Sequence, residues 1–291
     1  MISIIISSRD AEQLAAVTDN IQATIGVPLE IISIDNSGAK MGICQAYNQG
    51  AKQSQYEILC FMHEDICMRT QNWGQVLERI LSDQSIGLVG IAGSVSRVDF
   101  PAPWGGYVAH WRSKVVQHHS GGRYTDSLEF NPKHEICSDV AVVDGCWMAC
   151  RRETWERHPF DAQTFQGFHL YDEDLSMQIR QDARVCVTFE IILEHFSAGG
   201  YNREWFAAAE IFHRKWKNHL PVLISDPGRV SLRRARRVAF DLLWNRLKTA
   251  GYSRKELITI LCRRPRFVQE LIAAWVFRTF IKIRQIILSA Y

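Results

Sequence analysis

The fold is decided by one stretch, Ile58-Leu59-Cys60-Phe61-Met62-His63-Glu64-Asp65, in which a short apolar run ends in three polar residues. Such a run is typical of a strand that is buried on both faces of a parallel sheet. The polar residues then stand at its carboxyl end, where open α/β sheets bind their ligands. Carboxylate oxygens at that edge suit a hard cation such as Mg²⁺ or Mn²⁺, although an exposed turn would also be polar.

Outward from this stretch, strand and helix patterns alternate along the N-terminal third of the chain. Strands are predicted over residues 2–7, 30–34, 57–62 and 87–92, and helices over 10–25, 42–54 and 72–83. Strand–helix alternation with short connections predicts a parallel sheet that is covered by helices and joined by right-handed crossovers. Because the carboxyl ends of parallel strands share one edge of the sheet, we expect the polar residues there to meet.

The middle of the chain, residues 94–138, shows no clear periodicity and is rich in glycine, proline, histidine and aromatic residues. We predict an irregular segment that covers the ligand, because long loops of this kind are usually functional. Further strands are predicted over 140–150 and 184–193, and further helices over 167–180 and 202–216.

Three more polar groups stand at predicted strand or helix ends. Asp35-Asn36-Ser37 can hydrogen-bond a ribose or a base, or can form a simple turn. Tyr171-Asp172-Glu173-Asp174 precedes a helix, where one acid can serve as a cap and another as a general base. His195 follows a strand, and it is either a structural histidine or a further metal ligand.

Seven motifs follow one another in a fixed order along residues 1–216. They are Ile4-Ile5-Ile6-Ser7-Ser8-Arg9, Glu30-Ile31-Ile32-Ser33-Ile34-Asp35-Asn36-Ser37, Ala46-Tyr47-Asn48-Gln49-Gly50-Ala51, Ile58 to Asp65, Val143-Asp144-Gly145-Cys146-Trp147-Met148, Gly167-Phe168-His169-Leu170-Tyr171-Asp172-Glu173-Asp174 and Glu194-His195-Phe196-Ser197. Together they resemble the family 2, GT-A-fold glycosyltransferases, and among these the StrF-like domains of streptomycin biosynthesis. The fold that this resemblance implies is α/β, Rossmann-like, with a mostly parallel central sheet.

The resemblance also implies an activity. Such enzymes move a sugar, with inversion, from a nucleotide-diphosphate donor to a hydroxyl acceptor, which here would be a glycan, a lipid-linked sugar or a metabolite in bacterial glycan or secondary-metabolite assembly. The implied cofactor is Mn²⁺ or Mg²⁺, ligated by Asp65, His63 and His195. His63 stands where the family carries the first aspartate of its Asp-x-Asp motif. The implied base is Asp172, with Glu173 as the alternative.

Contacts to the nucleotide sugar and its acceptor are implied for nine residues by their places in these motifs. They are Ser7, Arg9, Asp35, Asn36, Asn48, Glu64, Asp65, Gly145 and Trp147, of which Gly145 and Trp147 belong to the acceptor side. Asp35 is the implied contact to the nucleoside.

Two other functions are compatible with an α/β chain of this kind. One is a catalytically lapsed GT-A scaffold that binds a glycan or a partner, which the substitution of His63 for aspartate keeps open. The other is a nucleotidyltransferase, which would need a glycine-rich, basic phosphate loop after the first strand. Ser7-Ser8-Arg9-Asp10 does not supply that loop.

The net charge of +3 conceals an uneven distribution along the 291 residues. Residues 229–291 hold 15 of the 34 basic and 3 of the 31 acidic residues, so they carry a net charge of +12 and leave −9 for the rest. We therefore predict a GT-A domain over residues 1–227 and a basic, amphipathic helical extension over 228–291. The extension would lie on an anionic membrane surface, or pack on the acidic body or on a second subunit in a homo-oligomer.

The sequence also bears on compartment and partners. The N-terminus has no basic lead-in or long apolar run of a signal peptide, and the eight cysteines form no Cys-x-x-Cys pair. We expect a cytoplasmic protein with reduced thiols, peripheral on the inner face of the plasma membrane. No nucleic-acid partner is expected, because no recognisable nucleic-acid-binding module accompanies the arginines.

Overall fold

The computed structural model describes residues 1–38, 41–119, 124–197, 199–224 and 228–262. The elements up to residue 97 are β1 (Ile2–Ser8), α1 (Ala11–Thr24), β2 (Leu29–Asp35), α2 (Ile43–Gln53), β3 (Ile58–Met62), β4 (Ile66–Met68), α3 (Trp73–Leu81), β5 (Ile86–Gly90), β6 (Ala92–Ser94) and β7 (Ser96–Arg97). Two short 3₁₀ turns, Trp104–Gly106 and Val108–His110, lead out of this part of the chain.

The remaining elements include further strands and the C-terminal helices. They are β8 (Trp111–His119), β9 (Tyr124–Phe130), β10 (Cys137–Asp139), β11 (Val142–Val143), β12 (Trp147–Arg151), α4 (Arg152–Arg157), α5 (Tyr171–Ile179), β13 (Arg184–Thr188), β14 (Leu193–His195), α6 (Arg203–Lys215), β15 (Val222–Leu223), α7 (Gly228–Thr249) and α8 (Arg254–Cys262).

The central sheet has seven strands in the order β10-β13-β5-β12-β3-β1-β2. Strand β1 pairs in parallel with β2 and β3, and β13 pairs in parallel with β5. Strand β12 runs antiparallel to both β3 and β5, and β10 runs antiparallel to β13. The predicted fold class, α/β with a mostly parallel central sheet, is confirmed.

Strand β1 shows why this sheet forms. Ile2, Ile4, Ile5 and Ile6 are all fully buried, because helices cover both faces of the strand. Burying each such side chain contributes roughly 1.5–3 kcal/mol to folding. The carboxylate of Asp10 caps the following helix by accepting from the backbone N–H groups of residues 12 and 13 at 2.9 and 3.1 Å. The parallel register of β1 and β3, with Ile6 opposite Met62, places the carboxyl ends of the two strands side by side.

A second sheet, in the order β11-β6-β8-β14-β4 with β9 paired to β8, includes two strands, β8 and β9, that lie wholly in the region predicted to be irregular. That prediction is wrong for residues 111–119 and 124–130, which form an antiparallel pair. The alternation expected of a strand is obscured because β8 buries the polar side chains of Arg112 and Ser113. This sheet carries His195 to the ligand-binding edge.

The predicted strand over residues 140–150 is interrupted at its centre. Asp144 accepts a hydrogen bond from the backbone N–H of Cys146 at 3.0 Å, forming a turn between β11 and β12. The predicted helix over 167–180 begins only at Tyr171, because Leu170 has a left-handed backbone with φ of 65°. The segment before this helix is held to α2 by the bond from the N–H of Ile43 to the carbonyl of Gly167, at 3.1 Å. Both departures from regular structure occur at the cavity described below.

Helix α7 packs on the body. Its buried residues Ala235, Ala239, Phe240, Leu243 and Leu247 belong to the same apolar core as the central sheet. An ion pair fixes the helix, with two nitrogens of Arg236 each 2.8 Å from an oxygen of Asp99. The membrane prediction also depends on a basic cluster, Arg263, Arg264 and Arg266, and on the apolar stretch from Phe267 to Tyr291, and both lie outside the described residues.

Within the described part of the chain, no helix combines the length and apolar character that crossing a bilayer requires. The seven cysteines whose side chains are described are free thiols.

Candidate active site

A cavity of about 630 Å³ opens at the carboxyl ends of β1 and β3. The ends of these strands supply one wall, and the turn before β12 and the start of α5 supply another. The segment that follows β14 closes the rim. The position agrees with the general rule that open α/β sheets bind ligands beyond their carboxyl strand ends.

Three side chains from two distant parts of the sequence meet on one side of this cavity. His63 Nδ1 and His195 Nε2 each lie 3.7 Å from Oδ1 of Asp65. Their ligand atoms all lie within 4.8 Å of one another, and the three side chains are between 11% and 20% exposed. The imidazole rings are 5.9 Å apart between centroids.

The strand pairing explains why these residues meet. Strand β14 runs antiparallel to β4, with His195 opposite Ile66, and the N–H of Phe196 donates to the carbonyl of Asp65 at 2.9 Å. His63 follows β3 directly, and its N–H donates to the carbonyl of Cys146 at 3.0 Å. Two sheets therefore end at the same point.

This donor set fits a divalent cation. Two imidazole nitrogens and one carboxylate oxygen, close together and still reachable from solvent, are ligands of the kind that Mn²⁺ and other first-row metals accept. The contacts of 3.7 Å are too long for hydrogen bonds, so the donor atoms do not satisfy one another. Burial, followed by the nearby His195, lowers the pKa of His63, which favours the neutral ring that a metal requires.

A group of buried acids lies on another side of the cavity, at the start of α5. Oδ2 of Asp172 accepts from the N–H of Gly145 at 2.9 Å. Burial raises the pKa of Asp172 well above its usual range, and the neighbouring carboxylates of Asp144 and Glu173 raise it further. A carboxylate in such surroundings is a stronger base than one in water.

Glu173 lies beside Asp172 but is held differently. Its carboxylate forms a buried ion pair with Nε of Arg97, whose guanidinium also lies 4.9 Å from the ring centre of Phe212. Both residues are almost completely buried. Burial raises the pKa of Glu173, whereas the charge of Arg97 opposes that rise. The third acid, Asp174, is also engaged, since it accepts from Trp216 Nε1 at 2.7 Å and Lys215 Nζ at 2.8 Å.

The predicted contact residues near β1 have mixed surroundings. Ser7, Arg9 and Asn36 line the cavity, as do Glu64 and Gly145. The carboxylate of Glu64 accepts from the N–H of Arg9 at 3.0 and 3.1 Å, so it also holds the loop after β1 in place. The structure therefore brings these five residues into the same cavity as His63, Asp65 and His195, which we call the metal-ligand group.

Asp35 is not among the residues that line the cavity. Its carboxylate accepts from the N–H of Ser37 at 2.9 Å and forms the turn after β2, while its neighbour Asn36 faces the cavity. The predicted contact between Asp35 and a nucleoside stays a prediction.

Two predicted contact residues, Asn48 and Trp147, are not among the residues that line the cavity. The amide of Asn48 donates to the carbonyl of Phe160 at 2.7 Å and accepts from Trp155 Nε1 at 3.0 Å, so it holds the segment after β12. Trp147 is fully buried, with its ring 6.0 Å from that of Trp73 in an edge-to-face contact. The predicted contacts of Asn48 and Trp147 with a ligand stay predictions.

Several lining residues were not among the predicted site residues. Asp144 belongs to the motif Val143 to Met148. The acid and the glycine that follow each other there interrupt an apolar strand, and this interruption is a sequence signal for a site residue. Tyr171 was the first residue of the acidic run. Phe168 is 49% exposed at the cavity, 5.5 Å from the ring of His63. Trp104 comes from the segment expected to cover the ligand, and its place in the wall agrees with that expectation.

Three solved structures are similar to this chain. GalNAc-T7, described with UDP, GalNAc and Mn²⁺, is 12% identical with a TM-score of 0.47; the match covers 67% of this chain and 43% of that one. A mannosyltransferase of Pyrobaculum calidifontis, described with GDP-Man and Mn²⁺, is 14% identical with a TM-score of 0.47 over 97% and 86% of the two chains. Protein A197 from STIV is 13% identical, with a TM-score of 0.38 over 67% and 85%.

This chain thus spans less than half of the length of GalNAc-T7. No curated protein matches its sequence. A family model described as "Glycosyltransferase like family" matches residues 1–208, which is more than half of the chain. The architecture and this match agree with the GT-A glycosyltransferase assignment, and the chain belongs to that glycosyltransferase-like family.

Proposed function

We propose that this protein is an inverting, metal-dependent glycosyltransferase that moves a sugar from a nucleotide-diphosphate donor to a hydroxyl acceptor. The observation that carries this proposal is the meeting of His63, Asp65 and His195 in the same cavity as Asp172. Family membership supports the reaction class. The nearer likeness to StrF-like domains, and a place in bacterial glycan or secondary-metabolite assembly, belong to the same proposal and rest on the sequence motifs.

His63, Asp65 and His195 would hold the cation. We favour Mn²⁺ over Mg²⁺, because two of the three donor atoms are imidazole nitrogens and Mg²⁺ prefers oxygen ligands throughout. When bound, the cation supplies positive charge that stabilises the departing diphosphate. Asp65, Asp144 and Asp172 would otherwise repel a diphosphate, so the acidic cavity itself favours a donor that arrives with a cation.

Asp172 would take the proton from the acceptor hydroxyl as that oxygen attacks the anomeric carbon. Its raised pKa makes it an effective acceptor of a proton, and general-base assistance of this kind contributes about 10²- to 10⁴-fold. Glu173 is the weaker candidate, because its carboxylate is already paired with Arg97. Attack from the face opposite the leaving diphosphate would invert the anomeric configuration.

A thermal-shift screen of nucleoside diphosphates with Mn²⁺ tests the donor side of this function. A ligand present at 100 times its Kd stabilises the folded protein by about 2.7 kcal/mol, which is readily measured. We expect at least one nucleoside diphosphate to raise the melting temperature in Mn²⁺, and the effect to be lost in Asp65→Asn. For the matched sugar donor, NMR of the product is expected to show the inverted anomer. Retention would contradict the proposed mechanism.

The alternative function is a catalytically lapsed scaffold that binds a glycan or a partner. The histidine at position 63, where the family carries an aspartate, favours this alternative because it removes a carboxylate ligand. The position of His63 beside Asp65 and His195 argues against this alternative, because an imidazole nitrogen there can serve as a metal ligand in place of the carboxylate. Binding of a glycan without any response to nucleotide, metal or sugar donor would instead favour the scaffold.

We also propose that the basic extension docks on an anionic membrane at the cytoplasmic face. Arg233 and Arg234 are exposed on α7, on the side away from the buried Ala235 and Ala239. Each basic residue near an anionic surface adds about 1 kcal/mol of attraction. The full chain is expected to float with phosphatidylserine vesicles and to do so less after Arg233→Glu and Arg234→Glu. Equal flotation of the two proteins would exclude this surface.

A further inference from the structure

Each histidine of the metal-ligand group uses its two ring nitrogens differently. In His63, Nδ1 faces Asp65 at 3.7 Å, whereas Nε2 lies 2.7 Å from the hydroxyl of Tyr171. In His195, Nε2 faces Asp65 at 3.7 Å, whereas Nδ1 lies 3.2 Å from Oε1 of Gln117. A neutral imidazole carries one hydrogen, so the partner of the far nitrogen decides which nitrogen is left with a free lone pair.

The hydroxyl of Tyr171 decides which ring nitrogen of His63 carries the hydrogen. That hydroxyl has a single hydrogen, and it donates to the carbonyl of Gly145 at 3.0 Å. It can then only accept from His63, which places the ring hydrogen on Nε2 and leaves Nδ1 bare toward Asp65. The opposite tautomer would take the hydrogen bond away from a buried carbonyl, at a cost of roughly 1–3 kcal/mol. In exchange, the opposite tautomer would only place a hydrogen on Nδ1 of His63, which lies 3.7 Å from Oδ1 of Asp65, too far for a hydrogen bond.

Gly145 makes this arrangement possible. A Cβ at that position would lie 2.2 Å from the hydroxyl oxygen of Tyr171, so only glycine leaves room for the phenol beside its own carbonyl. Tyr171 itself is buried, with its ring against Tyr47 at 5.8 Å and Phe168 at 6.1 Å between centroids. The hydroxyl is therefore held where His63 needs it.

Gln117 decides which ring nitrogen of His195 carries the hydrogen. Nε2 of Gln117 lies 3.0, 3.2 and 2.6 Å from the carbonyl oxygens of His118, His195 and Ser197, which share the two hydrogens of the amide NH₂. Three carbonyls around one end of the amide fix its orientation, so the other end is the oxygen. That oxygen can only accept, which places the ring hydrogen on Nδ1 and leaves Nε2 bare. The hydroxyl of Ser197 lies 3.2 Å from Nε2 and can donate to it until another partner arrives.

We propose that Tyr171 and Gln117 are positioning residues that hold His63 and His195 in the tautomers whose free nitrogens face Asp65. This inference rests on the proposed metal role of the three ligands and adds the residues that prearrange them. Outer partners of this kind typically change metal affinity by about 10- to 100-fold. They also explain how a histidine serves at position 63, since its reach to Tyr171 sets the nitrogen that it presents.

NMR of the imidazole nitrogens tests the tautomers directly, without metal or substrate. Long-range ¹H–¹⁵N spectra of the full chain, at a pH where the rings are neutral, show which nitrogen of each ring carries the hydrogen. The signals are assigned by their loss in His63→Asp and His195→Asn. We expect His63 protonated on Nε2 and His195 protonated on Nδ1. Either ring in the other tautomer would overturn the proposal for that residue.

Mn²⁺ binding, read by the EPR signal of the free ion, tests the consequence. We expect Tyr171→Phe to weaken Mn²⁺ binding about 10- to 100-fold, while Tyr252→Phe, the same change on a tyrosine that packs against Phe206 outside the cavity, has no effect. In a His63→Asp background the Tyr171→Phe change should cost nothing further, because an aspartate is too short to reach the hydroxyl. An equal cost in both backgrounds would assign Tyr171 a general structural role and overturn the inference.

These results are distinguishable from failure of the proposed function. A wild-type protein with the expected tautomers that binds no Mn²⁺ would remove the metal-dependent mechanism and leave the orientation of the rings standing. A protein that binds Mn²⁺ and transfers sugar, yet shows the other tautomers, would remove only the role of Tyr171 and Gln117.

Discussion

The two ends of the cavity hold their acids in different ways. At the metal end, Asp65 faces imidazole nitrogens at 3.7 Å, a distance that leaves room between the atoms rather than bonding them. At the base end, Asp172 accepts from the N–H of Gly145 at 2.9 Å and Glu173 is paired with Arg97. At the metal end, the ligand atoms face one another without bonding and leave space for a cation. At the base end, the acids are already engaged in hydrogen bonds and an ion pair.

This difference separates the chemistry of the two ends. Ligand atoms that face one another without bonding suit a cation, whereas acids whose pKa is raised by burial suit transfer of a proton. It also separates two adjacent acids, because Glu173 has a permanent cationic partner whereas the carboxylate of Asp172 accepts from backbone N–H groups. Substitutions at four of the residues around the cavity test these assignments.

Asp172→Asn should lower turnover by about 10²- to 10⁴-fold, because an amide keeps the oxygen that accepts from Gly145 but cannot take a proton. Nucleotide affinity and melting temperature should stay near those of the wild type. Steady-state kinetics together with calorimetric titration of the nucleotide measure both. Turnover close to that of the wild type would remove Asp172 from the mechanism.

Glu173→Gln should act on stability instead. The change leaves the guanidinium of Arg97 buried without a compensating charge, which costs roughly 3–5 kcal/mol in the free energy of unfolding. Urea denaturation measures it, with Asp172→Asn as the matched control in the same turn of helix. A stable but inactive Glu173→Gln protein would exchange the roles assigned to the two acids.

Gly145→Ala tests the link between the two ends. The added methyl group would meet the hydroxyl of Tyr171 at 2.2 Å and displace it from His63, so Mn²⁺ affinity should fall by about 10- to 100-fold. Gly167→Ala is the control, since a Cβ there meets nothing within 4 Å. EPR titration reads both proteins. Equal Mn²⁺ affinities in the two variants would show that Tyr171 does not support the metal end.

Phe168→Ala should have the smallest effect of the four. This half-exposed ring lies against His63 at the cavity, where an acceptor sugar could stack on it. A stacking contact of 0.5–1.5 kcal/mol corresponds to roughly a 2- to 10-fold rise in the KM for the acceptor, with the KM for the donor unchanged. Ile136→Ala, which also trims an exposed apolar side chain, serves as the control outside the cavity. An unchanged acceptor KM would place the acceptor elsewhere.

Much of the fold could be predicted from the sequence because apolar runs and caps are local signals. The strand at 57–62 is observed as Ile58–Met62, and the helix at 202–216 is observed as Arg203–Lys215 with Asn202 as its cap. The β8–β9 pair was missed because Arg112 and Ser113 are buried there, which hides the alternation of a strand. Long-range pairing of this kind has no signature in adjacent residues.

The site was predictable to the extent that its residues stand at strand ends. His63, Asp65 and His195 stand at predicted strand ends, the family resemblance implied that they bind the metal, and the structure brings them within reach of one cation. A motif gives neighbourhood in the sequence but not which way a side chain points, and Trp147 and Asn48 do not line the cavity. Tyr171 and Gln117 could not have been named, since their roles depend on distances between segments that are far apart in the chain.

In the proposed function, a cation held by His63, Asp65 and His195 serves sugar transfer, and hydrolysis of nucleotide sugars in Mn²⁺ measures whether it does. The wild-type protein should release nucleoside diphosphate from at least one nucleotide sugar. The rate should fall to background in EDTA and in Asp65→Ala, while the melting temperature of Asp65→Ala without metal should remain near that of the wild type. Release at the same rate by the wild type and Asp65→Ala, or undiminished in EDTA, would contradict the account.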